Sequence, residues 1–139
     1  LGIAQMERVE SLIDQKRQIF NWYQERLNSK IDICLNYEPE NVRNSYWMVT
    51  VVPKHKDMMD KFSLQAELAK KKIDSRPFFS RLSSLLPYKK TNLNHNHLID
   101  TEVIGNHATT HGLNLPSGYN MTEELVERVC FELINILDL

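Results

Sequence analysis

The chain has only two cysteines among its 139 residues, which argues against a disulfide framework or a cysteine-rich metal site. Neither Cys34 nor Cys130 belongs to a CxxC pair or to another metal-binding spacing. A chain of this length can bury a core without covalent staples. We therefore interpret both as reduced thiols of a cytoplasmic protein, with Cys130 as a small buried side chain on an apolar helix.

Long apolar runs and an excess of charge of one sign are also missing. No hydrophobic run reaches the length of about 18 residues that a membrane-spanning helix needs, and no secretory signal is visible. The formal net charge is −1, which excludes a general attraction to nucleic acid or to an anionic membrane. We interpret the basic runs at 70–72 and 89–90 as solvated surface. Neither nucleic acid nor a membrane is expected as a partner.

Complete catalytic and metal-binding motifs are missing too. The four glycines form no GxGxxG and no phosphate-binding loop, and no serine stands in a nucleophile elbow. His95 and His97 would supply two ligands to a metal site that needs three or four. His107 and His111 have helical spacing, but Ala108 stands where a zinc-protease helix has glutamate. We interpret all four histidines as surface side chains and expect no metal.

The chain opens with an amphipathic pattern that predicts one helix over residues 3–28. Its apolar stripe consists of Ile3, Met6, Val9, Ile13, Phe20, Tyr23 and Leu27. Lys16 is the one polar residue on this stripe, where its long stem can still pack. No capping residue precedes the helix, and about 26 residues is long for a globular domain. We therefore expect a chain entered in mid-structure, whose first helix bridges two domains or lines a dimer face.

The rest of the sequence predicts strands alternating with helices, which favours an α/β or α+β layer of helices on a small sheet. Residues 45–52 are rich in β-branched and aromatic side chains, a composition typical of a strand covered on both faces and ended by Pro53. The other predicted elements are a short strand or loop at 31–35, a helix at 56–72, an extended segment at 73–79, a helix at 100–111 stopped by Gly112, a strand at 113–116 and a helix at 122–137 capped by Thr122.

Arg76 is the strongest candidate for a ligand-binding side chain. It stands beside Pro77 in the extended segment and is followed by Phe78 and Phe79. An arginine held near aromatic rings can bind a phosphate or a carboxylate through two parallel hydrogen bonds. The residues alone leave open the alternative that Arg76 makes an ordinary ion pair with a nearby acid.

Four segments, in this order, resemble one enzyme family. They are residues 2–9, 44–48, 73–79 followed by 82–88, and 112–118 with 121–124. They are similar to the DegT/DnrJ/StrS family of pyridoxal-phosphate (PLP) sugar aminotransferases, and because they are spread from residue 2 to residue 124 the resemblance extends over nearly the whole chain. The segments around Arg76 and Gly112 are most similar to family members of the GDP-perosamine synthase kind.

The resemblance implies the small C-terminal domain of a fold-type-I PLP aminotransferase. Such a domain is an α/β (α+β sandwich) lobe with helices packed on a small, mainly antiparallel sheet. Residues 1–28 would be the long helix that links this lobe, residues 29–139, to a missing large domain. That N-terminal domain would bind PLP and carry the catalytic lysine upstream of Leu1. No residue of this chain is therefore assigned as catalytic or cofactor-binding.

The resemblance also implies the reaction and its partners. The whole enzyme would be a homodimer that moves an amino group from an amino acid, commonly glutamate, to a nucleotide-linked keto-sugar. This chemistry would serve surface-polysaccharide or related amino-sugar biosynthesis. The alternative that the residues leave open is a self-standing, non-catalytic ligand-binding or regulatory α/β module.

Three residues are assigned to substrate binding by their positions in the family motifs. Arg76 would face the phosphates of the nucleotide-sugar or the incoming carboxylate. Ser45 and Tyr46 would lie at the strand end nearest the substrate cleft. Residues 80–83 depart from the histidine- or proline-rich pattern that often follows in the family, which leaves the local substrate contact open.

Overall fold

The computed structural model describes residues 2–28, 32–54, 59–81, 84–86 and 99–137, with the backbone alone for 99–104. Its helices are α1 (Gly2–Met6), α2 (Val9–Leu27), α3 (Lys61–Lys70), α4 (Ile99–His111) and α5 (Glu123–Leu137). Its strands are β1 (Ile33–Leu35), β2 (Val49–Pro53), β3 (Arg76–Pro77) and β4 (Leu113–Leu115). None of the helices in these ranges is long and apolar enough to cross a membrane.

The described strands form one sheet in the order β1-β2-β4-β3, and every neighbouring pair is antiparallel. Val49 pairs with Leu115 and Val51 with Leu113, so these side chains share one face of the sheet. All four are buried. The predicted fold class, helices on a small antiparallel sheet, is confirmed.

Helices α2 and α5 cover this apolar face and complete the core. α2 contributes Ile19, Phe20, Tyr23 and Leu27, and α5 contributes Val126, Val129, Cys130 and Leu133. Each aliphatic or aromatic side chain buried in this way stabilises the fold by roughly 1.5–3 kcal/mol. Cys130 is buried, as predicted, and its burial raises the pKa of the thiol to about 12.

The opposite side of β2 is covered as well, although its central residue is polar. Thr50 is buried, and its hydroxyl donates a hydrogen bond of 2.7 Å to Oδ1 of Asn114. Because both partners are buried, the bond avoids the cost of a polar group without a partner. The prediction that this strand is covered on both faces is confirmed, but the strand begins at Val49. Its predicted start at residue 45 is wrong.

The predicted single helix over 3–28 is wrong, because the helix is interrupted at residues 7 and 8. The amide of Arg8 bonds to the carbonyl of Gln5, three residues back, at 3.1 Å. This shorter spacing marks a tightened turn rather than a continuing α-helix. Ile3 and Met6 are 80% and 68% exposed, so the buried stripe starts only in α2.

Helix α3 begins later than the sequence predicts and buries only one edge of its predicted apolar face. The carboxylate of Asp60 caps it by accepting hydrogen bonds from the amides of Phe62 and Ser63. Leu64 and Leu68 are fully buried, whereas Phe62 is 63% exposed. The sequence predicts an apolar face of Met58, Met59, Phe62, Ala66 and Ala69, widened by Leu64 and Leu68. Of the described members, only the two leucines are buried and Met59 is half-buried, so the centre of the predicted face is wrong; residue 58 lies outside the described ranges. Contact with α5 and β3 selects the leucine side.

Gly112 directly follows the last residue of α4, as predicted, and the closeness of its neighbours explains why this residue is a glycine. A Cβ atom at this position would lie 2.4 Å from the carbonyl oxygen of Ala108 and 2.9 Å from Cβ of Phe78. The carbonyl of Gly112 also accepts a 2.9 Å hydrogen bond from the amide of Phe78. A side chain at residue 112 would push this chain crossing apart.

Two positions on α5 test the assignment of its buried face. Leu133→Ala should lower the free energy of unfolding by about 2–5 kcal/mol, because it leaves a cavity between α5 and the sheet. Phe131→Ala, on the same helix at a 61% exposed position, should change it by less than about 0.5 kcal/mol. Urea denaturation followed by circular dichroism measures both. Equal losses in the two variants would contradict the assigned face.

Candidate functional site

A cavity of about 410 Å³ lies where β3 and β4 part and α5 passes beside them. Arg76 and Asn114 are paired across the two strands, but the residues before Arg76 turn away from β4. The lining residues are Met48, Lys72, Ile73, Asp74, Ser75, Arg76, Asn114, Leu115, Pro116, Ser117, Met121, Leu125, Arg128 and Val129. This set combines cationic side chains with an apolar wall, as small-molecule sites do.

The turn after α3 shapes one side of the cavity. The amide of Lys72 bonds to the carbonyl of Ala69, and the amide of Ile73 bonds to that of Leu68, at 2.9 and 3.0 Å. Lys72 lies in the left-handed region with φ of 60°, where most helices place glycine. A residue with a Cβ atom pays about 1–2 kcal/mol for this conformation. The turn buries Ile73 and directs the chain towards β3.

Arg76 lines the cavity and makes an ion pair at the same time. Its Nη2 lies 3.2 Å from Oδ2 of Asp74, and the two side chains are 75% and 79% exposed. An exposed pair of this kind contributes at most about 1 kcal/mol, so its guanidinium can be recruited by an incoming anion. The two alternatives for Arg76, ion pair and ligand-facing residue, are thus compatible.

Tyr46 does not line the cavity, because its ring is packed into the core. The ring stacks on Phe20 with centroids 3.7 Å apart and an angle of 5° between the planes. Its backbone has φ of 47°, and its amide donates to Oδ1 of Asn44 at 2.9 Å. Ser45 is half-buried and does not line the cavity either. Of this segment, Met48 reaches the cavity, so the structure does not bring Ser45 and Tyr46 together with Arg76.

The hydroxyl of Tyr46 belongs to a charged cluster on α2. It donates a 2.6 Å hydrogen bond to Oε2 of Glu38, which also receives Nη1 of Arg17 at 3.0 Å. Bonds from Tyr46 and Arg17 lower the pKa of the Glu38 carboxyl. Burial, together with the bond to Glu38, raises the pKa of Tyr46 to about 12. Arg17 also donates to the carbonyl of Asn44 at 2.6 Å, so the cluster fastens residues 38–46 to α2.

Lys16 connects two loops that border the cavity. Its Nζ donates to the carbonyls of Trp47 and Ser117 and lies 4.8 Å from the centre of the Tyr119 ring. Partial burial lowers the pKa of this lysine. The expectation that Lys16 packs its stem along the helix stripe is compatible with this position, and the carbonyl contacts explain why a lysine stands there.

The histidines on α4 are structural, which corrects the expectation of exposed side chains. Nε2 of His107 lies within hydrogen-bonding distance of the carbonyl of Pro53, and Nδ1 of His111 lies 3.3 Å from that of Met59. His111 is buried. In the part of the chain that the structure describes, no group of three metal-ligating side chains occurs. His95 and His97 lie outside the described residues.

The described residues do not fit a PLP site. A Schiff-base lysine should lie in an enclosed cleft, with an acid facing the pyridine nitrogen. Lys72 lies at the open rim of the cavity, and Asp74 is on the surface beside Arg76. The other lysines of the described ranges bond to acids or carbonyls: Lys16, Lys54, Lys61, Lys70 and Lys71.

Several cavity residues carried no signal that sequence analysis recognised. Lys72 was part of a basic run interpreted as solvated, and Arg128 was a polar position on α5. The usable signal at Lys72 was a helix end followed directly by an extended segment, with no glycine to make the turn. Ser75 and Arg128 reach the cavity only through the tertiary contacts of the turn with α5.

The lowered pKa of Glu38 predicts acid sensitivity of the cluster. A carboxyl whose folded-state pKa is depressed adds stability above its unfolded pKa of about 4 and loses it as the pH falls through the folded value. Glu38→Gln should therefore remove part of the acid-induced drop in the urea midpoint. Glu25→Gln, at an exposed carboxyl on α2, is the matched control. An unaltered pH profile in the Glu38 variant would refute this role.

Known proteins share this sequence pattern and fold. The sequence profile of the DegT/DnrJ/EryC1/StrS aminotransferase family matches residues 1–134. The GDP-perosamine synthase of Escherichia coli O157:H7 is 29% identical over 130 residues, which are 94% of this chain and 33% of that protein. The GDP-perosamine synthase of Vibrio cholerae is 27% identical over 132 residues, 94% of this chain and 34% of that protein.

Solved structures agree with this fold. Spr1654 from Streptococcus pneumoniae, in its PLP form, superposes with a TM-score of 0.80 over 97% of this chain and 33% of that one, at 18% identity. The chain therefore spans about a third of the length of the relatives it matches. Since the family profile matches all but the last few residues, the chain belongs to the DegT/DnrJ/EryC1/StrS aminotransferase family.

Proposed function

We propose that the chain is the C-terminal lobe of a PLP-dependent sugar aminotransferase. The whole enzyme moves an amino group from an amino acid, glutamate in the first instance, to a nucleotide-linked keto-sugar. The observation that carries this proposal is the family match over residues 1–134. The names of the similar proteins, GDP-perosamine synthases, favour a nucleotide-sugar substrate.

The cofactor and the oligomer belong to the whole protein in this proposal. PLP, which supplies the electron sink for amino transfer, is bound by a larger N-terminal domain, because the described residues do not supply its ligands. The enzyme is a cytoplasmic homodimer and serves surface-polysaccharide or related amino-sugar biosynthesis. Exposed Ile3 and Met6 on α1 support a role of residues 1–28 as the segment that meets the larger domain, although two helices form it instead of the predicted one. Residues 29–139 form the small lobe, whose core also includes the second half of α2.

Arg76 is proposed to bind the anionic part of the substrate. Its guanidinium is exposed, and its backbone is held in place by the pairing of β3 with β4. The nearby side chain of Asp74 keeps the guanidinium oriented without burying it. Such an arginine binds a phosphate or a carboxylate through two hydrogen bonds.

Ser45 and Tyr46 are proposed to act at the edge of the same substrate cleft. The hydroxyl of Tyr46 is occupied by Glu38, which favours a positioning role for Tyr46. Its packing holds the neighbouring Trp47, whose ring is 62% exposed and lies 6.4 Å from that of Phe79. Because Phe79 follows Arg76 by three residues, this pair of rings connects Trp47 with the segment that carries Arg76.

The cofactor proposal is tested on the protein expressed from its complete reading frame. A PLP imine should give a visible absorbance band that shifts when glutamate is added. The alternative, a self-standing binding or regulatory module, is favoured by the lack of PLP ligands among the described residues. That module would show no such band at any PLP concentration, and this result would exclude the aminotransferase.

The role of Arg76 is tested in the same whole protein. Arg76→Ala should raise KM for the nucleotide-sugar or the amino donor at least about tenfold, equivalent to ~1.4 kcal/mol of lost binding. Arg43→Ala, which removes another exposed ion-paired arginine, should leave both KM values unchanged. Steady-state kinetics with each substrate varied in turn separates the two assignments. Unchanged KM values in the Arg76 variant would remove this residue from the site.

A further inference from the structure

We propose that the cavity beside α5 is a binding site for a small organic anion, with Lys72 and Arg128 as its cationic groups. The ligand class is a phosphate or carboxylate group joined to an apolar body. The cavity is shared with Arg76, but the proposal goes beyond the proposed transamination because binding here needs neither PLP nor a larger domain. A volume of about 410 Å³ lies within the range of small-molecule pockets.

Two cations at this cavity lack a balancing acid. Among the described residues, Lys70 is paired with Glu67 and Lys71 with Glu132. In the same ranges, neither Lys72 nor Arg128 has a carboxylate within 4.0 Å, and Nη2 of Arg128 donates to the carbonyl of Lys71 at 2.7 Å. The acid that lines the cavity, Asp74, is paired with Arg76. The arrangement leaves positive charge for an incoming anion.

Ser75 forms part of the cavity wall and is itself almost completely buried. The residue is 3% exposed, and its Oγ is the one buried side-chain polar atom of the described ranges without a hydrogen-bond partner. The backbone carbonyl of Ser75 accepts a 2.9 Å hydrogen bond from Nε2 of Gln65. This bond keeps the wall between Lys72 and Arg76 in place.

The backbone conformation of Lys72 also supports a ligand-binding role for this residue. Glycine would adopt this left-handed turn without strain, and the chain places a lysine there instead. Strained residues of this kind concentrate at functional sites. The strain is explained if the ammonium group at this rim serves a ligand.

The apolar wall of the cavity indicates that the bound anion has an apolar group attached to it. Leu115 and Val129 are buried at the back, and Met121 and Leu125 are partly exposed towards the opening. An inorganic anion would leave this apolar surface in contact with water, whereas an apolar group attached to the anion would remove it from water. The best occupant is therefore an amphiphilic molecule with one anionic end.

Phenyl phosphate titrated into the 139-residue chain, without PLP or glutamate, tests the site. Amide NMR spectra should show saturable shifts at residues 72–76 and 121–129, with a Kd below about 1 mM. Phenol and inorganic phosphate should each bind at least about tenfold more weakly, and phenylacetate should compete. No saturable binding would overturn the proposal. Equal binding of phenol would overturn its anionic part, and equal binding of inorganic phosphate its apolar part.

Variants separate a binding role from a structural one. Lys72→Gly should weaken phenyl phosphate binding at least about tenfold and yet keep or raise the urea midpoint, because glycine relieves the left-handed strain. Arg128→Gln should weaken binding similarly while retaining a donor for the carbonyl of Lys71. Lys70→Ala, in the same basic run, is the matched control and should bind as the parent chain does. Parent-like affinity in both cavity variants would overturn the proposal, whatever the outcome of the PLP experiments.

Discussion

The covering of one apolar sheet face by α2 and α5 is the constraint on which the rest of this lobe depends. The central strands are short, and pairing of a few residues does not hold such strands together in water. They persist because Val49, Val51 and Leu113 are shielded by two helices that come from opposite ends of the chain. The positions of the loops and side chains described above therefore depend on this long-range packing.

The loops take their positions from polar contacts with the same helix. Tyr23 is fully buried in the core, and its hydroxyl reaches out to the carbonyl of Pro116 at 2.8 Å. Lys16 and Gln15 bind the carbonyls that follow in this loop, and Arg17 binds the loop before β2. One face of α2 is thus apolar and one edge is polar, and this edge orders the segments around the cavity. A substitution on this edge of α2 should therefore shift the loops beside the cavity, because these hydrogen bonds hold them in place.

The two proposed anion-binding functions use different physical means. Arg76 is exposed, weakly paired and placed at the end of a strand, as suits a group that meets a substrate held mainly by another domain. Lys72 and Arg128 line the cavity without a carboxylate partner among the described residues, and Lys72 has a left-handed backbone. Lys72 and Arg76 both lie in the short segment that follows α3, which is therefore the part of the lobe richest in potential function.

The sequence by itself determined the element types and a layer of helices on a small sheet, because β-branched runs and helical stripes are local properties that survive without a partner. The resemblance of its motifs to one family implied that this sheet is mainly antiparallel. The sequence also predicted the buried Cys130 and the end of α4 at Gly112. Only the tertiary structure decided which part of the apolar face of α3 is buried, since periodicity describes a face but not the surface that covers it; Leu64 and Leu68 are buried, and Phe62 is exposed. The same reason applies to Tyr46, which stacks on Phe20 and has a left-handed backbone. The cavity between Lys72 and Arg128 brings together residues that are far apart in the chain, and a local sequence pattern cannot predict that they lie close in space.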